Sequence, residues 1–135
     1  MTLENQVCSL ELAKRLKELD VEQFSLFSHY RLSDSPDGTQ HWEILMPSRY
    51  GSAFEERYSA FTVAELGEML PASFDWTGTN VFVEFGKSSI HGDYLINLRE
   101  CARPERMTIH IRADTEADAR AKMLIYLLEN KLITL

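Results

Sequence analysis

Cysteine is scarce here: Cys8 and Cys101 are the only two in 135 residues. They are too few and too far apart in sequence for a disulfide framework, so both are expected as reduced, buried thiols of a cytoplasmic protein. Long apolar runs are missing as well. No stretch approaches the ~18–20 uninterrupted apolar residues of a membrane-spanning helix. The opening segment "MTLENQVCSLELAKRLKELD" has neither a basic leader followed by an apolar run nor a small-residue cleavage site, which argues against a secretory signal. A soluble protein with no membrane partner is expected.

Positive charge is in deficit. Lys and Arg number 14 against 21 Asp and Glu, for a net charge of −7. That disfavours direct nucleic-acid binding, which depends on cations releasing phosphate counterions. The acids are not massed as a mimic of nucleic acid requires, because "KRLKELDVE" and "RADTEADARAK" mix both signs. Mixed charge of this kind keeps a surface soluble. Linkers, repeats and low-complexity tracts are absent too, so residues 1–135 read as a single domain. What is present is globular in balance, 44% hydrophobic and 26% charged, and a chain of this length can bury roughly two-thirds of its unfolded surface.

Hydropathy periods divide the chain into elements. Leu12, Leu16 and Leu19 form one stripe of a helix capped by Ser9 and ended by Asp20. "FSLFSHYRL" (24–32) alternates, with Phe24, Leu26, Tyr30 and Leu32 on one face and Ser25, Phe27, His29 and Arg31 on the other. The turn "SDSPDGT" leads to "QHWEILMP" (40–47), where Trp42, Ile44 and Met46 share a face, and the two strands make an antiparallel hairpin. Residues 48–61 keep no period and read as a surface connection with aromatic anchors. Thr62 and Glu65 then form a capping box, Val63, Leu66, Met69 and Leu70 supply a buried face, and Pro71 stops the helix. After the turn-rich "PASFDWTGTN", strands over 81–87 and 94–100 make a second hairpin. A strand over 107–113 follows, with Met107, Ile109 and Ile111 inward, and then a helix opened by Thr115 and Asp118. The order α-β-β-α-β-β-β-α predicts an α+β domain with a single antiparallel sheet of about five strands and three helices packed largely on one face.

The last helix poses the main question. Ala117, Ala121, Leu124, Leu128 and Leu132 make one apolar stripe, and Ala119, Met123 and Tyr126, with Leu127 between, make a second at ~100° per residue. A helix apolar on two faces is covered on both, either by its own chain or by a partner or second copy, because an exposed patch of that size marks an interface. Met123, Tyr126 and Leu127 are therefore candidate contact residues. Trp42, Tyr50 and Tyr58 join them from an aromatic cluster that also holds Phe27, Tyr30, Phe54 and Phe61, since surfaces built on Tyr, Trp and Arg bind proteins.

Catalytic patterns are absent from the string. Catalytic, metal and cofactor residues are not assigned, and no cofactor is expected. His29 and His41 stand on opposing strands with only Glu43 near, too few ligands for a metal, and both read as exposed. His110 also reads as solvent-facing, and His91 as part of a turn. "FGKSS" (85–89) carries the end of a phosphate-binding loop, but the glycine required earlier is Val81, and no helix follows. Carboxylate pairs such as Glu55–Glu56 sit in mixed-charge surroundings without an apolar run to raise a pKa. The rival enzyme reading would use a pocket lined by His29, His41 or Cys101; a further rival is an acidic inhibitor of a nucleic-acid enzyme.

Three strings carry a resemblance: "CSLELAKRLKEL" (8–19), "FTVAELGEMLP" (61–71) and "TEADARAKMLIYLLENKLI" (115–133). Together they resemble segments of small uncharacterised proteins encoded by tailed phages, prophages and related mobile elements of gut bacteria. That family has no assigned activity, so no functional residue carries over. The resemblance implies a bacterial or phage origin, the bacterial cytoplasm, and an accessory role through protein binding, either as a homodimer or with a host or phage protein.

Overall fold

The computed structural model describes residues 2–32, 35–46 and 56–135. Its described residues fold as α+β. The helices are α1 (Leu3–Gln6), α2 (Leu10–Glu18), α3 (Val63–Met69) and α4 (Glu116–Glu129). The strands are β1 (Phe27–Arg31), β2 (Trp42–Leu45), β3 (Arg57–Ala60), β4 (Ser73–Trp76), β5 (Thr79–Lys87), β6 (Tyr94–Glu100) and β7 (Met107–Ala113). All pairings are antiparallel, in a three-stranded sheet of order β2-β1-β3 and a four-stranded sheet of order β4-β5-β6-β7.

The single five-stranded sheet with three helices is thus corrected, among the described residues, to two sheets and four helices. Both expected hairpins are present, β1 with β2 and β5 with β6. The additional strands explain the division. β3 lies at the end of the supposed irregular connection and takes the second edge of β1. That makes β1 the central strand of its own three-stranded sheet, which shares no pairing with the β4–β7 meander. β4 falls within the turn-rich "PASFDWTGTN", where Phe74 and Trp76 alternate with Ser73 and Asp75 for four residues only. α1 has just four residues and no buried one, too short to show a helical period.

Local signals place the other elements where the sequence does. Thr62 accepts from the Glu65 backbone N–H at 3.2 Å while the Glu65 carboxylate accepts from the Thr62 N–H at 2.9 Å, so both halves of the capping box are made. Thr62→Ala is expected to cost about 1 kcal/mol, the usual worth of a lost cap, read as a lower urea midpoint with an unchanged slope. At α4, Thr115 accepts from the Asp118 N–H at 3.1 Å. The Asp118 carboxylate in turn accepts from the Ser9 N–H at 2.7 Å, which ties the start of α2 to the start of α4. Ser9 does precede α2, but its side chain makes no capping bond.

α4 contacts β6 and β7 and also α1, α2 and α3, so it runs through the middle of the core. Ala117, Ala119, Ala121, Met123, Leu124, Ile125 and Leu127 are all buried, an arc of roughly two-thirds of the helix at 100° per residue. The core cluster around them reaches from Cys8, Leu16 and Phe61 to Ile96 and Leu98.

Candidate functional site

The two flanking strands of the small sheet carry the most distinctive surface. Trp42 on β2 and Tyr58 on β3 lie on the same face, on either side of β1, with ring centres 5.9 Å apart. The register sets Trp42 opposite Arg31 and Tyr58 opposite His29. Two lysines of α2, three residues apart and hence on one helix face, lie over these rings. The Lys14 ammonium stands 5.1 Å from the Trp42 ring centre and 5.6 Å from that of Tyr58, and Lys17 stands 5.0 Å from Tyr58. Each such contact contributes about 0.5–1 kcal/mol at an exposed site. Lys17 also donates to the Arg57 carbonyl at 3.3 Å.

Three acids near this face are engaged. Glu18 and Glu129 pair with Arg15, and Glu56 pairs with Arg31 and accepts from the Tyr58 hydroxyl at 3.2 Å. Burial, and then that hydrogen bond, push the Tyr58 phenol up, so it stays a neutral donor. Glu43 stands opposite Tyr30 in the register, on the other face of the sheet from Trp42. Among the described residues neither Lys14 nor Lys17 has a carboxylate partner. Beside Trp42 lies a depression of about 340 Å³ lined by Leu3, Glu4, His29, Glu43 and Ile44, whose two carboxylates suit an uncharged guest side chain and not an acidic one. The face therefore offers two uncompensated cations on an aromatic floor in a chain of net charge −7.

Of the residues expected from sequence, Trp42 and Tyr58 are brought together, and Tyr50 lies outside the described residues. Met123 and Leu127 are 0% exposed, a correction to their reading as contact residues. α4 is surrounded by strands and helices of its own chain, which leaves them no surface to present. Tyr126 is half-buried against the same core. Sequence reasoning passed over Lys14 and Lys17, which read as the polar flank of the Leu12–Leu16–Leu19 stripe; their i, i+3 spacing was the available signal.

The histidines and cysteines do not assemble an active site. His29 is 5% exposed rather than solvent-facing, a second correction: the chain at Cys8 crosses its face of β1, and its Nε2 donates to the Cys8 carbonyl at 2.8 Å. The bond reaches the carbonyl, not the thiol, and burial pushes the Cys8 thiol up to about 12, so no thiolate forms near neutral pH. Cys101 is exposed, not buried as expected, because it follows β6 in the turn toward β7; its N–H donates to the Asn80 carbonyl at 2.9 Å. His41 is exposed and His91 lies in a turn, both as expected. His110 is also exposed, and its Nδ1 bonds the Asn97 amide oxygen across the sheet at 2.6 Å. Among the described residues no three His, Cys, Asp or Glu side chains group so as to hold a metal ion, and no helix is long and apolar enough to cross a membrane.

Comparison with known proteins adds no relative: no family model matches the chain, and no curated protein or solved structure matches it.

Proposed function

We propose that this chain is a binding protein, a phage- or prophage-associated accessory factor of the bacterial cytoplasm, which holds an acidic segment of a host or phage protein on its Trp42–Tyr58 face. The observation that supports this reading is the pair of lysines held over two aromatic rings with, among the described residues, no carboxylate in an ion pair with either. Aromatic rings give contact area at low conformational cost, and complementary charge gives register and encounter rate. The phage association rests on the three resembling segments, residues 8–19, 61–71 and 115–133.

The test is a pull-down from bacterial lysate at low and moderate salt with the tagged chain and with its Lys14→Glu, Lys17→Glu double variant. The expected result is an acidic protein retained at low salt, weakened at moderate salt, and lost by at least about tenfold with the double variant. Equal capture by both forms, or recovery of the bait alone, overturns the reading. Light scattering on the purified chain separates the remaining case: a dimer that the double variant abolishes assigns the acidic segment to a second copy.

A further inference from the structure

A cavity of about 670 Å³ opens where the starts of α3 and α4 meet the β5–β6 turn. Its floor is set by register. Lys87 at the end of β5 pairs with Tyr94 at the start of β6, and Tyr94 pairs with Ala113 at the end of β7. The Lys87 ammonium lies 5.2 Å from the Tyr94 ring centre. Asp114, next after Ala113, lines the same cavity, as do Asn5 and Thr62.

Neighbouring strands are about 4.8 Å apart, so the backbones at Lys87 and Ala113, two spacings apart with Tyr94 between, lie about 10 Å from each other, and Asp114 follows Ala113. Among the described residues neither is in an ion pair. Glu116, the other carboxylate on the wall, is neutralised by Arg120 at 2.7 Å. Among the described residues the cavity therefore has a cation with no ion-pair partner lying against the Tyr94 ring, and a carboxylate with no ion-pair partner beyond β6 from it. Phosphate is the wrong guest, because the unpaired Asp114 carboxylate lines the same cavity as Lys87. The complement is a molecule with an ammonium at one end and a carboxylate at the other. At ~3.3–3.6 Å per extended residue, a chain of two or three residues spans that distance, and cavities of about 300–1,000 Å³ are the usual size for small ligands.

We propose that this cleft binds the free termini of a short peptide, the α-ammonium against Asp114 and the α-carboxylate against Lys87 where it rests on Tyr94. The site is independent of the Trp42–Tyr58 face. The experiment is an NMR titration of the ¹⁵N-labelled full chain with glycyl-phenylalanine, its N-acetyl derivative and its C-terminal amide, repeated with Lys87→Met and Asp114→Asn. Saturable shifts at Lys87, Tyr94 and Asp114 are expected, with each blocked peptide binding about tenfold more weakly. Asp114→Asn should no longer separate the free from the acetylated peptide, and Lys87→Met should no longer separate the acid from the amide. Absence of saturable shifts up to the solubility of the dipeptide overturns the proposal, and so does equal affinity for all three peptides.

Discussion

Met123→Asp is expected to leave no cooperative unfolding transition, and Leu127→Asp the same. Both side chains are 0% exposed within α4. Truncating a buried Met or Leu to Ala already costs about 2–5 kcal/mol. A carboxylate adds several kcal/mol more, either as an unpaired buried charge or as the work of keeping it protonated. The sum is comparable to the ~5–15 kcal/mol by which a domain of this size is stable. Tyr126→Asp is expected to cost about 1–3 kcal/mol and remain folded, because Tyr126 is only half-buried at the margin of the same helix. Thermal unfolding followed by circular dichroism distinguishes them: a lost transition for Met123→Asp beside a lowered but sharp one for Tyr126→Asp. A Met123→Asp protein that melts normally and changes only its oligomeric state would instead make this stripe an interface.

The double apolar stripe of α4 thus has an internal cause. The helix sits between sheet and helices, and the sequence carries its two-sided burial as an all-round apolar stretch, "MLIYLL". What a sequence cannot say is which neighbour covers which side. Signals that act over a few residues were legible: the Thr62–Glu65 box, the Thr115 cap, the alternation of β5 and β6. The four-residue elements α1, β3 and β4 have no longer periodic stretch around them, so they escaped and the sheet count came out wrong. Faces were misjudged where tertiary cover overrides alternation. Phe24, which alternation places inward, is 85% exposed ahead of β1, whereas Ser28, His29 and Tyr30 are all buried, so that strand is covered on both faces. The candidate sites show the same limit. Trp42 and Tyr58 stood out as aromatics, but the lysines above them arrive from α2. Lys87, Tyr94 and Asp114 meet only through the register of three strands.

Stability should fall on mild acidification through His29. Burial pushes its pKa below the ordinary histidine value, outweighing the opposite pulls of the Cys8 carbonyl and the Asp118 carboxylate. In the unfolded chain the imidazole takes up a proton near pH ~6.5; in the folded chain it does so only at lower pH. Above the unfolded value both states hold it neutral, and its contribution is fully present. As pH drops below that value the unfolded chain binds the extra proton first, so stability declines by at most about 1.4 kcal/mol per pH unit for this one group. The decline ends once pH has passed the folded value, where both states are protonated. The neutral ring is the form that fits, since its Nε2–H already serves the Cys8 carbonyl and a second charge-bearing N–H would be buried with it. His29→Gln keeps an amide donor and removes the titration. The difference in unfolding free energy between wild type and this variant is therefore expected to shrink as pH falls from about 7 to about 5, in favour of the variant, as read from urea unfolding at each pH. Because both proteins share every carboxylate, their common acid response cancels in that difference. A difference that stays constant across the window would mean that His29 takes up its proton equally in both states.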